Sequence, residues 1–154
     1  MFGIWKGLDD LLFDHIFQPA IDRMQWHPTH AANGCLIGSS VFSLASGALA
    51  LINTRYGYPL SFIIAVGVGA LIVNPIMYWQ NLAFERELNQ FITANPLRDR
   101  QSISRILMVF LFLTMVVFTS NFVFTPIGSF VAMSSALFIA HRYFAACEIS
   151  TGRP

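Results

Sequence analysis

The chain has 154 residues, 55% of them apolar and only 11% charged, with 15 Phe and a formal net charge of +1. Soluble domains carry roughly 25% charged residues, so this chain has too little polar surface to cover one globule in water and is too apolar for disorder. The charge balance excludes an electrostatic footprint for nucleic acid, and two cysteines exclude a disulfide scaffold.

Residues 4–17 read as an amphipathic helix. Ile4, Leu8, Leu11, Leu12 and Ile16 recur at helical spacing, Asp9, Asp10 and Asp14 gather on the other side, and Asp10 and Asp14 share one helix face as a solvated edge. Three readings follow, in order: a lipid-interfacial helix, a helix that docks on a partner protein, and a helix packed on its own bundle. One Lys against three Asp works against an anionic leaflet. Pro19 breaks or kinks the chain, and a short helix over 20–25 leads towards the membrane. The early acidic residues, with no basic start and no small-residue cleavage site, do not read as a signal peptide, so the mature chain is expected to begin near Met1.

No Asp, Glu, Lys or Arg occurs in 25–54, 56–84 or 106–141. A bilayer span needs about 20 mostly apolar residues, and these runs hold four: 33–53, 60–79, 105–124 and 127–147. A single helix over 106–140 would be ~52 Å long against a core near ~30 Å, and Thr125-Pro126-Ile127-Gly128 supplies a break. The fold class is therefore all-α: a polytopic membrane protein of four transmembrane helices with a short amphipathic N-terminal helix. It forms a single membrane domain over 1–154, with 1–30 and the loop 80–104 cytoplasmic.

The first span carries Gly34 and Gly38 as a G-x-x-x-G pair, and Ser39, Ser43 and Gly47 as a second small-residue track. Gly67 adds a small residue to the second span, and Ser134 and Ser135 mark the fourth. Close packing of the first, second and fourth spans is expected, with the Phe-rich third turned to lipid or a partner. Asn74-Pro75 late in the second span frees a backbone carbonyl and permits a kink. In the loop, a helix is expected over 82–92, ended by Asn95-Pro96. The arginines that follow hold the loop inside, or meet anionic lipid headgroups or acidic patches of a partner. Ser102 is placed to cap the third span.

Four spans put both termini and the middle loop on one side. That side holds Lys6, Arg23, Arg86, Arg98, Arg100, Arg105, Arg142 and Arg153, and the other holds Arg55 alone. The bias makes both termini cytoplasmic, in an inner membrane or its organellar equivalent. Trp26, Tyr56, Tyr58, Tyr78, Trp79 and Tyr143 lie near span ends, where interfacial aromatics belong.

No acidic residue lies in a span core, which argues against a proton-coupled transporter or pump acting alone. No G-x-S-x-G, P-loop, H-E-x-x-H or C-x-x-C occurs, and the extramembrane parts are too short for an enzyme domain, so no catalytic residues and no metal site are assigned. Three roles follow from what is present. The first is an accessory, structural or assembly subunit of a larger membrane complex, acting through helix packing, with the lipid bilayer and other membrane subunits as partners and homo-oligomerisation as an alternative. The second is a carrier of haem, metal or pigment at the face that gathers His27, His30, Cys35, His141 and Cys147, with His30 and His141 the first ligand candidates. The third is an oligomeric channel or transporter for neutral solutes or lipids, using Asn74-Pro75 and the Ser-lined faces.

Overall fold

Helices make up nearly all of the computed structural model, which describes residues 2–52, 58–88, 97–118, 120–123 and 125–149, and no strand occurs among the described residues. In chain order they are α1 (Phe2–Leu12), a π-helical turn (Phe13–Phe17), α2 (Gln18–Met24), α3 (Pro28–Ile52), α4 (Leu60–Val68), a second π-helical turn (Gly69–Val73), α5 (Asn74–Leu88), α6 (Leu97–Arg100), α7 (Ser102–Phe118), α8 (Ser120–Val123) and α9 (Pro126–Phe144). Two helices are long and apolar enough to cross a membrane: α3, with 25 residues, and the continuous helix Leu60–Ala83, with 24. At ~1.5 Å per residue they reach ~38 and ~36 Å, against ~30 Å of hydrocarbon. α7 is apolar but has 17 residues, and the 19 residues of α9 run into the polar pair His141–Arg142.

The break between the last two long segments falls at Thr125-Pro126. Thr125 has extended backbone and its hydroxyl oxygen accepts the Gly128 N–H at 3.1 Å, while Pro126 takes the first helical position, where its missing N–H costs no bond. The helix expected over 82–92 is not separate: as far as Leu88 it is the end of α5, continuous with the second long helix. Residues 53–57, which hold Arg55 and Tyr56, residues 89–96 with the Asn95-Pro96 stop, and the tail with Arg153 lie outside the described residues.

Proline explains both π turns. Each ends one residue before an X-Pro pair, Gln18-Pro19 and Asn74-Pro75. The N–H of Gln18 bonds the Phe13 carbonyl and that of Asn74 bonds the Gly69 carbonyl, both five residues back. Widening the turn by one residue relieves the clash between the proline ring and the preceding turn, so of the break or kink expected at Pro19 the chain shows a local helical distortion and no break.

α3 is the centre of the bundle. It packs on α9 along one side and on the α4–α5 helix along another, while α7 packs on α9 and on α1. A Cβ at Gly38 would stand 3.0 Å from Leu137 Cδ1, so α9 lies close against α3 there and any side chain at this position would have to displace the end of Leu137. Gly47 faces Val66 of α4. Gly34 and Gly67, by contrast, face open space, with nothing within 4 Å of an added Cβ. The G-x-x-x-G pair is therefore not one interface, because its two members point to different surroundings.

The N-terminal helix departs most from the sequence reading. Asp10 and Asp14 keep partly exposed side chains, but Asp9, gathered with them on the acidic side, does not. It is 1% exposed and paired with Arg105, which is 0% exposed. Arg105 donates from Nη2 and Nε to the two Asp9 carboxylate oxygens at 2.6 and 3.1 Å, and from Nη1 and Nη2 to the carbonyls of Leu97 and Arg98. Its guanidinium stands 5.3 Å from the ring centroids of both Phe13 and Tyr143. Arg98 bonds Asp14 at 2.7 Å. The acidic patch that these loop arginines meet is thus on the same chain. Phe13, Ile21, Ala31, Tyr143, Ala146 and Cys147 form the buried apolar cluster beside it. Docking by the acidic side leaves Ile4, Leu8, Leu11 and Ile16 exposed on the outer side.

The same inversion holds for the bundle. Buried positions include Asn33, Ser39, Ser46, Asn74, Ser134 and His141, while Ile37, Ile64, Leu71, Leu111, Val117 and Phe118 are exposed.

Candidate functional site

The polar residues of the bundle interior form two layers. At one end Asn81 of α5 donates from Nδ2 to Asn33 Oδ1 of α3 at 2.8 Å, and the same nitrogen lies 3.4 Å from Nδ1 of His141 on α9. Three helices meet in this cluster.

The second layer lies half-way along α3 and α9, where the second π turn passes into α5. Its origin is Pro75. The Ala70 carbonyl would ordinarily accept from Asn74, four residues on, but that N–H is taken by Gly69. The donor five residues on would be Pro75, which has none. Ser40 of α3 supplies the missing bond, its hydroxyl donating to the Ala70 carbonyl at 3.3 Å. Ser40 Oγ in turn accepts from Asn74 Nδ2 at 2.9 Å. Because the Ser40 proton is engaged with Ala70, this contact requires the amide nitrogen of Asn74 and fixes the side chain's orientation. Asn74 Nδ2 also reaches Ser39 Oγ at 3.4 Å.

α9 joins through Ser134. Its hydroxyl donates to the Ser39 carbonyl at 2.9 Å, so its oxygen is the acceptor for the Ser39 and Ser43 hydroxyls at 3.0 and 2.7 Å. Such interhelical bonds average about 0.6 kcal/mol in membrane proteins, and here they converge on one serine oxygen.

Beside this layer lies a cleft of about 430 Å³. Ser43, Asn74, Ser134 and Ser135 give it a polar floor, and Met108, Leu111, Phe112, Met115 and Phe138 supply apolar walls. The volume lies within the range of ligand pockets, roughly 300–1,000 Å³. Val73 and Leu111 line the cleft and are also exposed, so it opens on the flank of the bundle between the second π turn and α7.

Of the residues singled out from the sequence, Ser43, Asn74 and Pro75 belong to this layer, while Gly38 and Gly47 set helix approach outside it. His30 and His141 differ in environment. His30 is exposed on the first turn of α3, its ring 5.6 Å from that of His27. His141 is buried among Asn81 and Phe138. His27 acts as a helix cap, its Nδ1 accepting the Thr29 N–H at 3.3 Å, and Pro28 holds the first helical position. Among the described residues no group of three His, Cys, Asp or Glu side chains is arranged to hold a metal ion. Cys35 is half-buried and Cys147 is buried, its thiol donating to the Tyr143 carbonyl at 3.5 Å, and neither is in a disulfide.

Sequence reasoning did not single out Ser40, Asn33, Asn81 or the Asp9–Arg105 pair. The proline was the available signal for Ser40, since a missing N–H inside an apolar helix calls for an outside donor. Comparison with protein-family models, with curated proteins and with solved structures finds no match to this chain.

Proposed function

We propose that this chain is a multi-pass membrane protein of an inner membrane or its organellar equivalent. Its four long helical segments cross the bilayer and both termini lie on the cytoplasmic side. It acts as an accessory or assembly subunit of a larger membrane complex, through contacts and not through catalysis.

The observation that carries this reading is the inverted distribution of polarity. Serines, asparagines, a histidine and an Asp–Arg pair are buried, whereas Ile, Leu, Val and Phe side chains cover the outside of α3, α4, α5 and α7. Water as solvent drives the opposite arrangement. In lipid, exposed aliphatic side chains have no reason to turn inward, and polar groups gain by pairing inside. The eight-to-one bias of Lys and Arg supports the orientation. The exposed apolar stripe of α1 supports a helix lying at the interface, fastened to the bundle by its acidic side.

Mild detergent extraction from the native membrane, followed by native mass measurement, tests the subunit role. The reading expects the chain in a stoichiometric assembly with other membrane proteins. A homogeneous monomer at native expression level contradicts it, and an assembly of identical copies replaces the accessory role with a homo-oligomer.

A further inference from the structure

We propose that the cleft between the second π turn, α7 and α9 binds an uncharged, lipid-dissolved molecule through a free hydroxyl. The proposal rests on the membrane reading above, because the cleft opens sideways, where the bilayer interior would be.

The argument is a count of protons. The Ser134 hydroxyl is engaged with the Ser39 carbonyl, the Ser39 and Ser43 hydroxyls with Ser134 Oγ, and the Ser135 hydroxyl with the Val131 carbonyl at 2.9 Å. Both amide hydrogens of Asn74 are directed to Ser39 and Ser40. Each of these donors is therefore committed within the bundle. What remains in the cleft wall is lone pairs: those of Ser43 Oγ and Ser135 Oγ, beside Asn74, a lining residue to whose side-chain carbonyl oxygen no described residue donates. An acceptor at the edge of an apolar cleft gains by meeting a donor.

That inventory selects the ligand. A carboxylate, phosphate or simple ketone brings further lone pairs to a wall that already has only lone pairs. An ammonium brings a donor, but among the described residues no Asp or Glu lines the cleft to balance its charge. A neutral hydroxyl supplies the missing proton, and its hydrocarbon suits the Met, Leu and Phe walls. Methionine adapts to irregular apolar shapes, so Met108 and Met115 favour a flexible chain.

The test uses the full chain in phosphatidylcholine nanodiscs, a lipid without a free hydroxyl. The probe is a long-chain alcohol carrying a photoactivatable group in its chain. Saturable labelling within 108–115 or 134–139 is expected. The unlabelled alcohol should compete, with its methyl ether about five- to tenfold weaker and the corresponding fatty acid also weaker. Competition by diacylglycerol separates a glycerolipid source from a single-chain alcohol. Gly69→Leu fills the cleft without removing a hydrogen bond, since Gly69 has ordinary right-handed helical angles and nothing lies within 4 Å of its added Cβ. This variant should lose the saturable labelling while keeping wild-type helix content. Equal competition by alcohol and ether overturns the proposal, as does labelling spread over the outer helix faces or unchanged by Gly69→Leu. Vesicle flotation separates the two failures: a chain that floats with lipid but does not label saturably sinks only the ligand site, and a chain that stays out of the lipid sinks the membrane reading.

Discussion

Replacing Asp9 by Ala leaves Arg105 as a buried cation without its counter-charge. The guanidinium has five N–H groups, two of them on Asp9 and two on the carbonyls of Leu97 and Arg98. The substitution removes two charge-assisted bonds of about 1.5–3 kcal/mol each and leaves the two to backbone carbonyls. Breaking a buried ion pair from one side typically costs about 3–5 kcal/mol. The loss falls on the docking of α1, the first π turn and α2, because the pair is what joins this unit to the start of α7. At about 1.4 kcal/mol per tenfold change, amide-exchange protection across 8–21 should fall by about a hundredfold to a few thousandfold, while protection in the middle of α3 changes little. The paired change Asp9→Leu with Arg105→Met should recover most of the protection, because no charge is then stranded. Exchange in α1 of the Asp9→Ala protein within about threefold of wild type would refute the claim that the ion pair anchors the N-terminal unit.

Three further substitutions probe the bundle. Gly38→Leu should destabilise by about 1–3 kcal/mol in a detergent unfolding titration, because Leu137 Cδ1 already lies 3.0 Å from the added Cβ, whereas Gly34→Ala should leave the midpoint within about 0.5 kcal/mol. Ser40→Ala should cost about 1–2 kcal/mol by stranding the Ala70 carbonyl, and a double-mutant cycle with Pro75→Ala should show positive coupling, since that replacement restores an N–H to the helix; additive effects contradict the proline account. Asn81→Leu should loosen α5 from α3 and α9 by about 1 kcal/mol and raise the reactivity of His141 towards a small imidazole reagent, which an unchanged reaction rate would contradict.

The sequence made some of this visible because particular residues act locally. Charge-free runs became long helices. Thr125-Pro126 ended one helix and began another, since a hydroxyl cap and a missing N–H are properties of those two residues alone. Asn74-Pro75 announced a distortion, although its form, a π turn without a break, follows from how the preceding turn widens. The partner of a polar face is another matter. Asp9 and Arg105 are 96 residues apart, and the helical spacing of Ile4, Leu8 and Leu11 reveals a stripe without saying which side docks. The acidic side docks and the apolar side faces out, an order that lipid surroundings favour and that the periodicity alone does not encode. Gly34 and Gly38 teach the same lesson: their spacing fits a shared interface, yet only Gly38 has a helix against it. Asn33 and Asn81 became a pair only once α3 and α5 lay side by side.

The central claim is that lipid surrounds these helices and that four of them cross it. Nitroxide labels at Ile37 of α3, Ile64 of α4, Leu113 of α7 and Met133 of α9, all exposed positions, test it when the full chain is reconstituted in vesicles. Power-saturation measurements should find all four labels open to oxygen, which concentrates in hydrocarbon, and shielded from a water-soluble nickel chelate. Chelate access at Leu113 or Met133 contradicts four crossings, and chelate access at all four sites contradicts the membrane account itself.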